Sequence, residues 1–169
     1  MNLRLVRPGP EHERAVMDYL AAFRAAGENH VNGSGGLHRF DSYALWLKSL
    51  DETHPGEIRQ TTFLSYDGEE LVGAVAVRHG LNEQNMRKGG HIGYSVRPTM
   101  RRMGYGRAQL GLALGECAKL GILRALITCA EHNAASAATI AAFGGVEDLP
   151  SLDDDGTVIR RFWVDMDRA

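Results

Sequence analysis

Arg101, Arg102 and Arg107 bracket Gly104-Tyr105-Gly106, the densest cationic stretch of a 169-residue chain. The residues before it, HIGYSV at 91–96, predict a strand, which stops at Arg97-Pro98 because proline has no N–H to give a ladder. After it, Leu110, Ala113, Leu114 and Cys117 recur at i, i+3, i+4, i+7, which predicts a helix ending near Gly121. A strand, a tight basic turn and a helix start suit anion binding. The first helical turn carries N–H groups with no internal partner, and its dipole favours negative charge. Glycines let a phosphate come close to the backbone, and arginines add bidentate donors. The same residues also describe an ordinary turn with a solvated basic rim. A Walker loop is excluded, since Gly-x-x-x-x-Gly-Lys-Ser/Thr is absent. A dinucleotide fingerprint lacks its third glycine, because Gln109 stands there.

The rest of the chain supplies elements to hold this stretch. Residues 3–6 alternate and stop at Pro8, which predicts a short strand. Residues 11–26 predict a helix with Val16, Leu20 and Phe23 on one face and Gly27 as its stop. NHVNGSGG at 29–36 predicts a flexible loop, either a plain connector or a mobile lip over a site. Asp41 is a candidate cap for a second helix, whose Tyr43, Trp46, Leu47 and Leu50 form a core stripe. Residues 61–66 and 71–77 predict a hairpin turning at Asp67-Gly68, its second strand continuing through Arg78 and His79. Residues 81–90 read as irregular.

Downstream, 123–129 is a continuous apolar run, suited to a strand buried on both faces. Residues 133–143 predict a compact alanine-rich helix ended by Gly144-Gly145. Residues 153–156 form an acidic turn, and 157–165 alternate as a strand. The order β-α-α-β-β-β-α-β-α-β-β implies an α/β (α+β) fold: a mixed, mostly antiparallel sheet with helices on both faces. No repeat or linker divides the chain, so residues 1–169 read as one domain.

Composition narrows the function. A hydrophobic content of 44%, a charged content of 24% and a net charge of −2 are ordinary for a soluble protein. They give no general drive toward nucleic acid or an anionic membrane, and the local basic cluster suits one phosphate ligand better than a duplex. No apolar run reaches the roughly 18 residues of a membrane span, and the N-terminus is too polar for a signal peptide. Cys117 and Cys129 have no metal or redox spacing and read as core thiols. A cytoplasmic protein is expected.

The stretch V-R-P-x-x-R-x-x-G-Y-G resembles the acetyl-CoA signature of the GNAT superfamily of N-acetyltransferases, Arg/Gln-x-x-Gly-x-Gly/Ala, carried here by Arg101, Gly104 and Gly106. A second family motif is matched by Asn133 and Ser136, with Gly144 closing a short helix. The likeness covers residues 61–165 and more loosely the whole chain. It is similar to a bacterial branch with RHGLN upstream and LITCAEHNAAS downstream. The resemblance implies a splay between the fourth and fifth strands, where the pantetheine arm of the cofactor lies. Backbone groups of Tyr94, Ser95 and Val96 would pair with that arm. Amides of Arg102, Met103, Gly104, Tyr105, Gly106, Arg107 and Ala108 would hold the pyrophosphate, and Asn133 would meet the cofactor from the opposite side.

The proton-transfer residues depart from the family. A tyrosine common seven residues after the motif asparagine is Ile140 here, and a glutamate common before the central strand is Gly90. The nearby candidates are His91 as base, since an imidazole near pKa 6.5 suits neutral pH, and Tyr94 as thiolate acid. A hydrogen-bonded sheet histidine and a core aromatic are the structural alternatives. His79 and Asn82 could line the acceptor side or simply cap a strand end. The expected activity is acetyl transfer from acetyl-CoA to an amine by direct attack. The expected acceptor is a small molecule, and the protein a monomer or homodimer with no nucleic-acid or membrane partner. The alternative is a CoA-sensing domain without turnover.

Overall fold

In the computed structural model, which describes residues 1–166, the strands are β1 (Leu3–Val6), β2 (Gln60–Asp67), β3 (Glu70–Arg78), β4 (Ile92–Val96), β5 (Arg124–Ala130), β6 (Val146–Leu152) and β7 (Val158–Asp165). The α-helices are α1 (Glu13–Ala25), α2 (Tyr43–Ser49), α3 (Glu83–Arg87), α4 (Tyr105–Lys119) and α5 (Ala134–Ala141). One sheet runs in the order β1-β2-β3-β4-β5-β7-β6. All its pairings are antiparallel except that of β4 with β5.

Alternation along β2, β3 and β4 sends side chains into two cores. On one face Val75, Val77 and Ile92 meet Leu110, Leu114 and Cys117 of α4 and Ile140 of α5. On the other, Leu64, Leu71 and Ala74 meet Val16, Leu20 and Phe23 of α1 and Trp46 of α2. The predicted helix faces are therefore the buried ones, and both cysteines are buried free thiols.

Three local expectations differ. The cap of α2 is Ser42, whose side chain accepts from Leu45 N, not Asp41. The 81–90 segment holds α3, capped by the Asn82 side chain accepting from Asn85 N. The 29–36 loop is packed rather than loose. Ser34 Oγ donates to Val31 O at 2.7 Å, and Trp46 Nε1 donates to Ser34 O at 2.8 Å. A Cβ built on Gly33 would lie 2.5 Å from Gly93 O, so the loop backbone rests directly on β4.

The sheet opens where the site is expected. β4 and β5 are in register only at Ile92↔Ile127. β5 then follows β7 from Arg124↔Asp165 to Ala130↔Ile159, while β4 follows β3. Neighbouring strands committed to different partners diverge, which is the expected splay. Its closed end is knit tightly. His91 N donates to Leu126 O at 2.7 Å, and Leu126 N donates back to His91 Nδ1 at 2.9 Å. Gly89 N donates to Thr128 Oγ1 at 2.9 Å. Gly90 sits inside this knot at φ +59°, and a Cβ there would lie 2.3 Å from Leu126 O. Gly90→Ala adds left-handed strain and a backbone clash, so it is expected to lower unfolding free energy by about 2 kcal/mol or more. Denaturant melts that leave the midpoint unmoved would show that the knot relaxes freely.

Candidate functional site

The opening lies between β4 and the β5–α5 junction, with the basic turn at its mouth. Arg102 adopts φ +67°, the one left-handed non-glycine among the described residues, and Gly104 follows at φ +88° as the N-cap of α4. Two left-handed residues at a helix start turn the chain sharply while leaving the first N–H groups of α4 without helical partners. Such backbone strain is typical of a binding loop. A Cβ on Gly106 would lie 3.6 Å from the Tyr94 ring and 3.8 Å from Val96, so position 106 faces the open stretch of β4.

The arginines do not all point at this turn. The Arg101 guanidinium is held in a two-pronged pair by Glu28, at 2.6 and 2.8 Å, and its Nε donates to Val96 O at 3.3 Å. The pair pulls the Glu28 carboxyl below its ordinary value. Arg97 pairs with Asp18 at 3.1 Å. What Arg101 offers the turn is its backbone. Arg107 lies over the Phe143 ring at 6.0 Å, and Tyr105 turns away to donate to Asp67 Oδ2 at 2.9 Å. Met103 is exposed. Ala108 and Arg107 line a groove of about 620 Å³ with Gly104, Gly111 and Phe143.

Across the opening, Asn133 Oδ1 caps α5 by accepting from Ser136 N at 3.1 Å. Ser136 Oγ lies 3.1 Å from Tyr94 OH. The structure thus brings Tyr94, Val96, Gly106, Asn133 and Ser136 around one cleft. Ser95 faces the opposite side, with Oγ 2.9 Å from Tyr19 OH. Its carbonyl accepts from Gln109 Nε2 at 3.1 Å.

Proton-handling groups sort by their surroundings. Burial raises the Tyr94 phenol, only partly offset by its Ser136 hydrogen bond, so it keeps its proton at neutral pH. His91 is buried, and its Nδ1 accepts from Leu126 N, which places any remaining proton on Nε2. In that tautomer the ring is a donor with no free lone pair. Ile140 is fully buried in the α4–α5 core and does not reach the cleft. Gly90 cannot carry a side chain, for the reason given above.

On the α1–α2 face, a cavity of about 540 Å³ is walled by the 29–36 loop, the 52–58 segment and α3, with Ala76 and Arg78 of β3 as floor. Asn82 lines it, but its Oδ1 caps α3 and its Nδ2 donates to Gly56 O at 3.2 Å. His79 is 2.8 Å from Thr61 Oγ1 at the strand end. Two residues here were not foreseen. Glu28 has no sequence signal as the partner of Arg101. Arg78 did have one: Ala74, Ala76 and Arg78 alternate onto one face, and small neighbours leave a long side chain room.

The chain belongs to the acetyltransferase (GNAT) family, whose model matches residues 27–145. No curated protein sequence matches it. Among solved structures it is similar to a ribosomal L7/L12 alpha-N-protein acetyltransferase, RimL, in complex with coenzyme A. Identity is 17%, coverage 99% of this chain and 96% of that one, and TM-score 0.71. It is similar to a spermidine N-acetyltransferase chimera, SpeG from Vibrio cholerae with hSSAT, at 14% identity, 99% and 98% coverage and TM-score 0.68. A third similar structure is the putative acetyltransferase YncA from Salmonella typhimurium with its cofactor acetyl-CoA. There identity is 11%, coverage 100% and 96%, and TM-score 0.64. These likenesses establish the fold. No helix among the described residues is long and apolar enough to cross a membrane.

Burial depresses the imidazoles of His38, His79 and His91, each pushed further by a nearby cation. The unfolded chain takes up these protons near the ordinary value of about 6.5, while the folded chain resists them. Their contribution to stability is therefore complete above that value and is lost as pH falls below it. The melting temperature is expected to drop between pH 7.5 and 5.5. A flat profile over that range would contradict the burial of these rings.

Proposed function

We propose that the protein transfers an acetyl group from acetyl-CoA to the amine of a small molecule by direct attack on the thioester. The observation that carries this reading is the opening beside β4 with the left-handed turn and the start of α4 at its mouth. Acetyl-CoA supplies an activated acyl thioester. The amides of 102–107 hold the pyrophosphate, the Ala108 N–H being spent on Gly104 O at 3.1 Å, and the β4 edge at Tyr94 and Val96 guides the pantetheine arm, since the Ser95 carbonyl is taken by Gln109. Asn133 and Ser136 border it from α5.

Tyr94 OH, beside Ser136 and held protonated by burial, is the proposed donor to the leaving thiolate. His91, with Nε2 as its donor atom, positions rather than deprotonates. Asn82 shapes the acceptor side through the contacts it already makes, whereas His79 does not line this cavity and stays with Thr61 at the strand end. Direct attack is supported by the cysteines: burial pushes Cys117 up to about 12 and raises Cys129, so neither is a ready thiolate. A small acceptor is supported by the walled cavity under the 29–36 loop, which excludes water better than an open groove. A cytoplasmic monomer or homodimer without nucleic-acid or membrane partners fits the composition.

Coenzyme A at millimolar level is expected to raise the melting temperature, because a ligand binding only the folded state stabilises it by mass action. Gly106→Asp is expected to abolish that shift by placing a carboxylate beside Tyr94 and Val96. An unmoved melting curve with wild-type protein would refute the reading.

Tyr94→Phe is expected to lower kcat roughly a hundredfold or more, the scale of a lost general acid, with coenzyme A affinity nearly intact. Unchanged turnover would assign the proton to solvent. Release of free thiol with an amine separates an enzyme from a CoA-sensing domain.

A further inference from the structure

Arg78 ends β3 at the floor of the α1–α2 cavity. Its Nη1 donates to Gly89 O and Gly90 O, both at 3.2 Å, and among the described residues no carboxylate pairs with it. A Cβ on Gly89 would lie 3.5 Å from its guanidinium carbon, and one on Gly93 would lie 4.0 Å from Nη1. Gly89 and Gly93, having no side chains, thus let the guanidinium pack against the backbone leading into β4, beside Gly33, whose N would lie 3.4 Å from a Cβ on Gly93. Burial alone lowers its affinity for a proton, the signature of a cation without a compensating anion. The carboxylates of this cavity, Glu52 and Glu57, sit on exposed residues at the rim.

We propose that Arg78 binds the carboxylate of the acceptor, so that the substrate class is α-amino acids rather than polyamines. The inference rests on the acyl-transfer reading above. A guanidinium offers a planar fork matched to a carboxylate, and the two carbonyl bonds fix its orientation before the ligand arrives. An α-amino acid carries its amine two bonds from the carboxyl carbon, so a carboxylate anchored on Arg78 holds the amine at a fixed short distance from it, on the approach to β4. A polyamine would set an ammonium against an unpaired guanidinium, and like charges brought together in a partly desolvated site select against it.

The test compares matched acceptors on the full-length protein with acetyl-CoA: free L-amino acids, their carboxamides, and spermidine, read as free thiol released. The acids are expected to exceed their amides in kcat/KM by roughly tenfold to a hundredfold, the difference lying mainly in KM. Arg78→Met is expected to bring the ratio near unity, and Arg78→Lys to leave a reduced preference. Arg78 also braces Gly89 and Gly90, so either variant can weaken folding; the acid-to-amide ratio of the wild type needs no variant.

Amides matching acids, or spermidine preferred to both, would overturn the inference while leaving acyl transfer standing. If no amine turns over although coenzyme A binds, the wild type is titrated with N-acetyl amino acids and their amides in the presence of coenzyme A. A melting shift confined to the carboxylates supports the assignment, and equal or absent shifts overturn it. Failure of coenzyme A itself to bind would instead defeat the parent reading.

Discussion

The hydrogen bonds between His91 and Leu126 fix where the sheet stops being continuous. His91 uses its backbone N–H and its ring nitrogen to satisfy both polar backbone groups of Leu126. Buried backbone groups must be paired, and here one residue meets both needs of its neighbour. One pair further on, the ladder between β4 and β5 ends at Ile92↔Ile127. Beyond it, β3 and β7 draw the two strands apart, and the resulting edge of β4 is the feature a ligand can use. Moving this knot by a residue would also exchange the two faces of β4, because side chains alternate. Tyr94 would leave α5, and Ser95 would leave α1.

Ion pairs beside the cleft act as alignment rather than as bulk stability. Arg101–Glu28 and Arg97–Asp18 are partly exposed, and such pairs contribute at most about 1 kcal/mol each. Their geometry matters more. Arg97 and Arg101 both flank the end of β4, and both tie it to α1 or to the residues directly after it. Glu28 leads into the 29–36 loop, which crosses β4 at Gly33 and accepts from Ser95 Oγ through Asn32 O. The turn on one face and the cavity wall on the other are therefore joined through a short run of chain.

Periodic and punctuated parts of the fold were legible in the sequence. The helical stripes of α1 and α4, the hairpin at Gly68 and the strand broken at Pro98 each have a local physical cause. Their side chains went where the periods sent them. The cap of α2 was misassigned to Asp41 by one residue, because adjacent Asp and Ser are both good acceptors and only backbone direction decides. Short α3 was hidden by its five-residue length, too brief for a period. The 29–36 loop looked mobile because glycine is permissive, yet its glycines serve close approach: Gly33 lies against β4 with no room for a side chain. Long-range partnerships such as Arg101 with Glu28 have no local trace at all. Composition can supply both charges but not their meeting.

Proton balance at the cleft follows from what the sheet has spent. The position of a family glutamate is occupied by Gly90, because the closed knot leaves it no space. The neighbouring histidine has given its lone pair to Leu126, so the base function has no obvious side chain on β4. In the proposed reaction the N–C bond forms as the C–S bond breaks, the amine loses one proton and the thiolate gains one. Tyr94 can provide the second of these protons, since burial keeps its phenol neutral. The first can pass to water if the amine is neutral when it reaches the thioester. A cation close to an ammonium lowers its pKa by disfavouring the charged form. Arg78 does not act on the amine of an α-amino acid as a bare cation, because the carboxylate paired with it lies closer to the amine; the pairing instead offsets the carboxylate's own hold on the ammonium. Pairing with Arg78 would thus ease loss of the ammonium proton, which suits a site where Gly90, just before β4, leaves no space for a carboxylate base.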